Sequence, residues 1–355
     1  MNIQAKTTLL EWKTNEAIAV GRGATVQEFF AIIDGNRYVI DVAPWGEGRF
    51  TVDGREIARI DGAKDRRQAF KSLASIAERF RSGEQIKLEV PRRSPLIPAA
   101  KAKLLEGKRG LIIGIANEKS IAWGCARAFR ALGTDLAITY LDDSTKQQVA
   151  PLAQALEAEI VMPLDVTIPG QIERVFESIG KKWGSLDFVV HSIASSPKEA
   201  LKSRVADVSR DGFLATMDVS CWSFIRTAHL AEPLMVRGGS LFTMTYLGSQ
   251  RVIPNYNVMG IAKAALESAV RYLAAELGPK GIRVHAISPG PLATNASSGS
   301  PELDEVLKKA RGKTPARNLV SIDDVGVATA FLAHDAARLI TGDTLYVDGG
   351  YHVVD

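Results

Sequence analysis

The chain has 355 residues, 46% of them hydrophobic and 24% charged, with a net charge of +4. That is long enough for two domains and a large buried core. No apolar run reaches the roughly 18–20 residues of a membrane span, and 16 Lys/Arg against 13 Asp/Glu in residues 1–100 is too small an excess to mark a nucleic-acid surface.

The opening "MNIQAKTTLLEWKTNEAIAV" carries acids and has no apolar core, so it reads neither as a secretory signal nor as a transit peptide. Cys125 and Cys221 stand apart from each other and from any His-flanked pattern, which fits packed thiols in a reducing cytoplasm. The five histidines lack metal-ligand spacing, and no structural metal is expected.

Residues 1–90 read as a small α+β module. "FFAIIDGNRYVIDVAPWGEGRFTVDGREIARI" holds short β-rich runs separated by Asp34-Gly35, Trp45-Gly46 and Asp53-Gly54, a pattern that predicts a three- or four-stranded meander. Phe70, Leu73, Ile76, Ala77 and Phe80 then recur at helical spacing, with Asp65 placed to cap the start and Gly83 to end the helix. No acid–base pair, metal set or phosphate loop appears in this module. Residues 91–107 form a linker, whose "PRRSPLIPAAKAK" has three prolines that deny regular elements their donors.

From residue 108 to the end the pattern changes. "GLIIGIA", "LAITYL", "EIVMPLD", "LDFVVHSIA", "SLFTMTYL", "IRVHAIS" and "DTLYVDGG" alternate with longer helical stretches. Apolar strands interleaved with helices predict an α/β fold, a Rossmann-type doubly wound, seven-stranded parallel sheet. The first strand ends at Gly114, and Ser120 and Ile121 open a helix whose apolar face includes Cys125 and Phe129. A helix N-terminus suits a pyrophosphate, but a serine-capped strand–loop–helix turn explains this stretch equally well. "TYLDDSTK" ends the second strand with Leu141 and two acids and no arginine, which favours NAD over NADP because a 2′-phosphate wants a basic partner. Asp165-Val166 follows the third strand, placed for an adenine edge, and Ser192-Ile193-Ala194 follows the fourth with small residues. All four stretches fall at the carboxyl ends of strands, where such sheets bind ligands.

The fifth strand leads into "YLGSQRVIPNYNVMGIAK". Tyr256 and Lys263 are seven positions apart, roughly 700° of helical rotation, which places both on one helix face. An ammonium near the phenol would lower its pKa from about 10, and can also donate to ribose hydroxyls.

On "GIANEKSIAWG", "LDV", "HSIA", "YLGSQRVIPNYNVMGIAKAALE", "AISPGPLAT" and "VDGG", the chain from about Lys108 resembles the short-chain dehydrogenase/reductases, and within them the enoyl-acyl-carrier-protein reductases. Ordinary members carry Tyr-x3-Lys, and that spacing would put the tyrosine at Met259. The Tyr-x6-Lys spacing here is the enoyl reductase variant, accompanied by Tyr246. The resemblance implies NADH as cofactor and the trans-2 double bond of an enoyl thioester on acyl carrier protein as substrate. It assigns Tyr256 to the thioester carbonyl, Lys263 to the cofactor ribose and Tyr246 to a place by the acyl chain. Gly114, Ser120, Ile121, Leu141, Asp165, Val166, Ser192, Ile193, Leu292 and Thr294 fall on cofactor positions. Ala194, Ser196 and Met259 fall beside the substrate.

Three positions depart from the pattern. Leu141 stands where glutamine is common, Ala194 replaces a glycine, and Pro289 and Ala293 resemble the wider superfamily. The Ser/Gly-rich "TNASSGSPELDEV" is expected to form a lid over the acyl chain. The "VDGG" end and the long helix after Tyr256 imply a homotetramer of 222 symmetry. Arg66, Arg67, Lys71, Arg79 and Arg81 form a solvated helix face or a docking surface for an acidic carrier protein.

Two other functions stay open at this point. A reductase of another enone or carbonyl would be expected to keep Tyr-x3-Lys, and a cofactor-binding regulator would not need the Tyr246/Tyr256/Lys263 set.

Overall fold

Strand residues facing alternate sides of a sheet decide where its two cores lie, and here both faces are apolar. In the computed structural model the described residues are 13–14, 18–19, 25–33, 36–42, 48–52, 55–60, 66–81, 104–292, 307 and 309–354. The chain divides into two units, Met1–Ser94 and Pro95–Asp355. Among the described residues no helix is long and apolar enough to cross a membrane.

In the first unit, β3 (Thr25–Ile33), β4 (Asn36–Val42), β5 (Gly48–Val52) and β6 (Arg55–Ile60) pair consecutively and antiparallel, forming the meander. Two further strands, β1 (Lys13–Thr14) and β2 (Ile18–Ala19), both pair with β3 and bring the sheet to six strands. At two residues each they are too short to show an alternation in sequence. Helix α1 (Arg66–Arg81) packs on β4, β5 and β6, burying Ala69, Leu73 and Ala77, while the sheet buries Tyr38, Ile40 and Phe50. Asp34-Gly35, Trp45-Gly46, Asp53-Gly54, Asp65, Gly83 and the proline-rich stretch 91–103 lie outside the described residues.

In the second unit the seven apolar runs form β7 (Arg109–Ile113), β8 (Asp135–Tyr140), β9 (Ile160–Pro163), β10 (Phe188–His191), β11 (Gly239–Met244), β12 (Ile282–Pro289) and β13 (Thr344–Val347). Every pairing is parallel, in the order β13-β12-β11-β10-β7-β8-β9. Leu111, Ile113, Val189 and Leu241 point into one core with α4 (Gln171–Trp183), α7 (Ser223–Ala231) and α8 (Asn257–Leu277). Their neighbours Ile112, Val190 and Phe242 point into the other, with α2 (Ile121–Ala131), α3 (Asp143–Ala155) and α9 (Ile322–Ala333). Such two-sided burial is why these strands read as continuous apolar runs. The chain steps from β7 outward to β9 and then returns to β10 on the other side of β7. The crevice between β7 and β10 is therefore the topological switch point.

Helices α2 and α9 cross at glycines. A Cβ at Gly124 would stand 2.1 Å from the Ile322 carbonyl oxygen, and one at Gly326 would stand 2.3 Å from the Gly124 carbonyl oxygen. An ion pair between Arg127 and Asp323 closes the same crossing. Gly124→Ala should push the helices apart and lower stability by about 1–3 kcal/mol, the usual cost of overpacking. Thermal unfolding measures it, and an unchanged midpoint would show that the crossing gives way freely.

Candidate active site

The site begins with backbone at the switch point. Gly114 follows β7 with φ +102°, where side chains are strained, and a Cβ there would lie 2.2 Å from the Ser192 carbonyl oxygen. Ser192 in turn donates its N–H to the Ile113 carbonyl at 3.0 Å, and Ile193 lies against Gly114. This close backbone approach leaves a shallow floor at the carboxyl edge.

Helix α2 opens beside that floor at Ile121. The Ser120 hydroxyl donates to the Asn117 carbonyl at 2.6 Å and does not cap α2. Of the two readings the sequence left open, the serine cap is absent, and the first-turn amides keep the character of an anion site.

Leu141 follows β8 with an exposed side chain. The Asp142 carboxylate beside it caps α3, accepting from the Thr145 N–H at 2.9 Å and the Ser144 hydroxyl at 2.7 Å. Those bonds, from Ser144 first, hold its pKa below the usual carboxylate range. After β9, Asp165 accepts from the N–H and hydroxyl of Thr167 at 2.9 and 2.7 Å, and Val166 packs against the core. Leu292, beyond β12, packs on the opposite core. The parallel sheet thus sets Gly114, Leu141, Asp165, Ser192 and Leu292 along one edge, the edge that would hold a dinucleotide. Thr294, Ala293 and the stretch 294–306 lie outside the described residues.

On the other side of the switch point the tyrosines meet. Tyr246 follows β11, and its ring stands edge-on to that of Tyr256 with centroids 5.2 Å apart at 66°. Tyr256 is the N-cap of α8, and its carbonyl accepts from the N–H groups of Met259 and Gly260 at 2.9 and 3.4 Å. Asn255 and Asn257 on either side have φ +62° and +33°. Asparagine tolerates the left-handed region better than most residues. The Asn257 side-chain amide donates to the carbonyls of Leu201 and Ser203 at 3.0 and 2.9 Å, tying the turn to the end of α5 (Lys198–Lys202). Met259 is buried in the first turn of α8.

Lys263 is only 4% exposed and donates to the Met244 carbonyl at 2.7 Å. Burial lowers its pKa to about 8, opposed by Cys221 and Glu267. The expected lowering of the Tyr256 phenol is not found. Burial raises it, with Tyr246 adding to the rise. Desolvation dominates, and the phenol stays protonated as a hydrogen-bond donor. Burial likewise raises the Tyr246 phenol, with Tyr351 second.

Exposed Ala194 and half-buried Ser196 sit on the loop after β10. This loop is stitched to a π-turn at Asp218–Trp222, between α6 (Arg210–Met217) and α7. The Ser220 hydroxyl accepts from the Ser195 N–H at 3.1 Å and donates to its carbonyl at 2.9 Å, and the hydroxyls of Ser196 and Thr216 are 2.8 Å apart. Neither Ser220, Thr216 nor Asn257 was marked by sequence reasoning. Only Asn257 carried a signal, the "NYN" tripeptide with its left-handed preference.

A family model described as enoyl-(acyl carrier protein) reductase matches residues 114–352. An enoyl-[acyl-carrier-protein] reductase [NADH] of Rhizobium meliloti is 48% identical over 250 residues, covering 70% of this chain and 93% of that protein. The Enterococcus faecalis enzyme of the same description, FabI, is 43% identical, covering 70% and 99%. Among solved structures, the Anaplasma phagocytophilum reductase in complex with NAD aligns with a TM-score of 0.69 at 47% identity, covering 72% of this chain and 97% of that one. With the fold, the Tyr-x6-Lys pair and these matches in agreement, the chain belongs to the enoyl-acyl-carrier-protein reductase family.

Proposed function

We propose that Tyr256 and Lys263 carry the chemistry of this family in this chain, with Tyr246 supporting the reacting phenol. The chain is an NADH-dependent enoyl-acyl-carrier-protein reductase, reducing the trans-2 double bond of an enoyl thioester. NADH, when bound, supplies the hydride to the β-carbon. The groove beside Gly114 and the uncapped amides of α2 fit a dinucleotide pyrophosphate, and Lys263 fits the ribose.

As the double bond is reduced, negative charge gathers on the thioester oxygen. A neutral phenol aimed at that oxygen stabilises the charge more in the transition state than in the ground state. The observation that carries this reading is the edge-on pairing of the Tyr256 phenol, raised by burial, with Tyr246, together with a buried Lys263 held at the end of β11. Both rival functions lose ground to it, because the variant spacing and the intact set occur together. Tyr256→Phe should cut kcat for a crotonyl thioester by about 10²–10³-fold, the size of a lost oxyanion donor, with NADH binding nearly intact. Lys263→Ala should weaken NADH binding as well. Wild-type turnover in Tyr256→Phe would refute the assignment of the phenol.

Cofactor choice rests on Asp142, whose ionised carboxylate repels a 2′-phosphate. NADH should therefore give the higher kcat/KM, and Asp142→Asn, which retains a capping group, should narrow the gap to NADPH by about fivefold, as expected for one exposed like-charge contact. Equal kcat/KM for the two cofactors in the wild type would contradict this.

The assembly that fits the surface is a homotetramer of 222 symmetry. Helix α8 exposes Ile261 and Tyr272, and the C-terminal region exposes Leu339, Ile340 and Leu345. Apolar side chains on two separate regions suit two isologous contacts. Light scattering should give four times the chain mass at micromolar concentration, and a monomer would exclude the assembly.

A further inference from the structure

We propose that Glu267 is a positioning residue for both tyrosines, its buried carboxylate holding the segment that carries Tyr246 and forms the bed of the Tyr256 ring. The proposal rests on the enoyl-reduction reading and extends it to a side chain that touches neither substrate nor cofactor.

Glu267 lies on α8 one turn beyond Lys263 and is 5% exposed. Its Oε1 accepts from the Thr245 hydroxyl at 2.7 Å and from the Ser249 hydroxyl at 2.6 Å, and Gln250 Nε2 reaches Oε2 at 3.5 Å. The first two donors bracket Tyr246, Leu247 and Gly248, so one carboxylate pins both ends of that short segment. Hydrogen bonds to a charged acceptor are about twice as strong as neutral ones.

The pinned segment in turn sets Tyr256. A Cβ at Gly248 would lie 2.4 Å from Tyr256 Cδ1, and a Cβ at Gly260 would lie 2.7 Å from the Gly248 carbonyl oxygen. The Tyr256 ring therefore rests directly on backbone whose ends Glu267 holds, and the Tyr246 ring meets it from that same segment. Taking a carboxylate out of water costs several kcal/mol, and a purely structural position on α8 is better served by an apolar side chain. The polar group is explained by the loop it holds.

The same carboxylate also faces the lysine. The titratable groups around Lys263 are Glu267 on its own helix, Cys221 on the π-turn and His191 at the end of β10. The Cys221 thiol is raised by burial and stays neutral, and His191 is pushed down to about 3, mainly by burial. Cys221 and then Glu267 oppose the lowering of the lysine, and Glu267 is the carboxylate of the pair. On its far side, Tyr346 of β13 has its phenol raised, by burial first and then by Glu267.

Two full-length variants test this with a crotonyl thioester and NADH. Thr245→Val/Ser249→Ala removes both donors and leaves the charge. It should lower kcat about tenfold or more, as for a modest misplacement of a reacting group, with NADH affinity and the alkaline limb of the pH profile unmoved. Glu267→Gln presents an amide donor to Gln250 and removes the charge. It should lower kcat similarly and move the alkaline limb of the pH profile to lower pH, because Glu267 favours the Lys263 ammonium. The sign follows because the lysine is active while protonated, and losing an anion makes its proton easier to remove. Wild-type kcat in the folded double variant, or an unshifted limb in folded Glu267→Gln, would overturn the proposal. If Glu267→Gln does not fold, the double variant alone decides. An inactive wild type would sink the enoyl-reduction reading itself, a result distinguishable from either.

Discussion

A buried ammonium is the constraint around which the second unit is arranged. Lys263 sits on a helix face that also buries Glu267, between the sheet and the π-turn, and burial lowers its pKa to about 8. Its neighbours oppose that fall. The Met244 carbonyl, left over at the end of β11, accepts its hydrogen bond, and Cys221 and then Glu267 favour the ammonium. The position of the end of β11 thus fixes where the lysine points, and the sheet order fixes the end of β11 next to the cofactor crevice.

The same dryness acts oppositely on the phenol. Burial makes a phenolate harder to form, so Tyr256 holds its proton through the working pH range. For enoyl reduction this is the useful state, since the oxygen that gains charge needs a donor and no group needs deprotonating by the tyrosine. On the proposed assignment lysine and tyrosine divide the work, the one offering charge to the ribose and the other a neutral hydrogen bond to the thioester. The same dry environment secures the phenol's proton and works against the lysine's, which the groups around it must hold.

Much of the fold was legible because two-sided burial writes itself as apolar runs, and all seven runs became strands. The edge of the sheet was legible too, because a parallel sheet must put every strand's carboxyl end on one side. What escaped were features that depend on tertiary neighbours. Strands β1 and β2 are too short for a period, and the serine at residue 120 could not reveal that its hydroxyl turns back to Asn117. The direction of the Tyr256 shift was misread from spacing, since spacing places a lysine nearby but says nothing about how much water is excluded. Ser220 and Glu267 look like ordinary helix residues until the loops they hold are seen.

The long Tyr-x6-Lys spacing has a structural consequence that ties these parts together. With the shorter spacing the phenol would project from the Met259 position, inside α8, where the helix itself would fix its direction. Three residues earlier, Tyr256 is the N-cap, flanked by two left-handed asparagines, and a helix end alone does not hold a ring. The rigidity must come from outside. Asn257 anchors the turn to the end of α5, Gly248 supplies a backbone surface too close for any side chain, and Tyr246 closes the edge of the ring. The variant spacing therefore transfers the donor's support from one helix to a ring of separate contacts, each of which must be held in its own right.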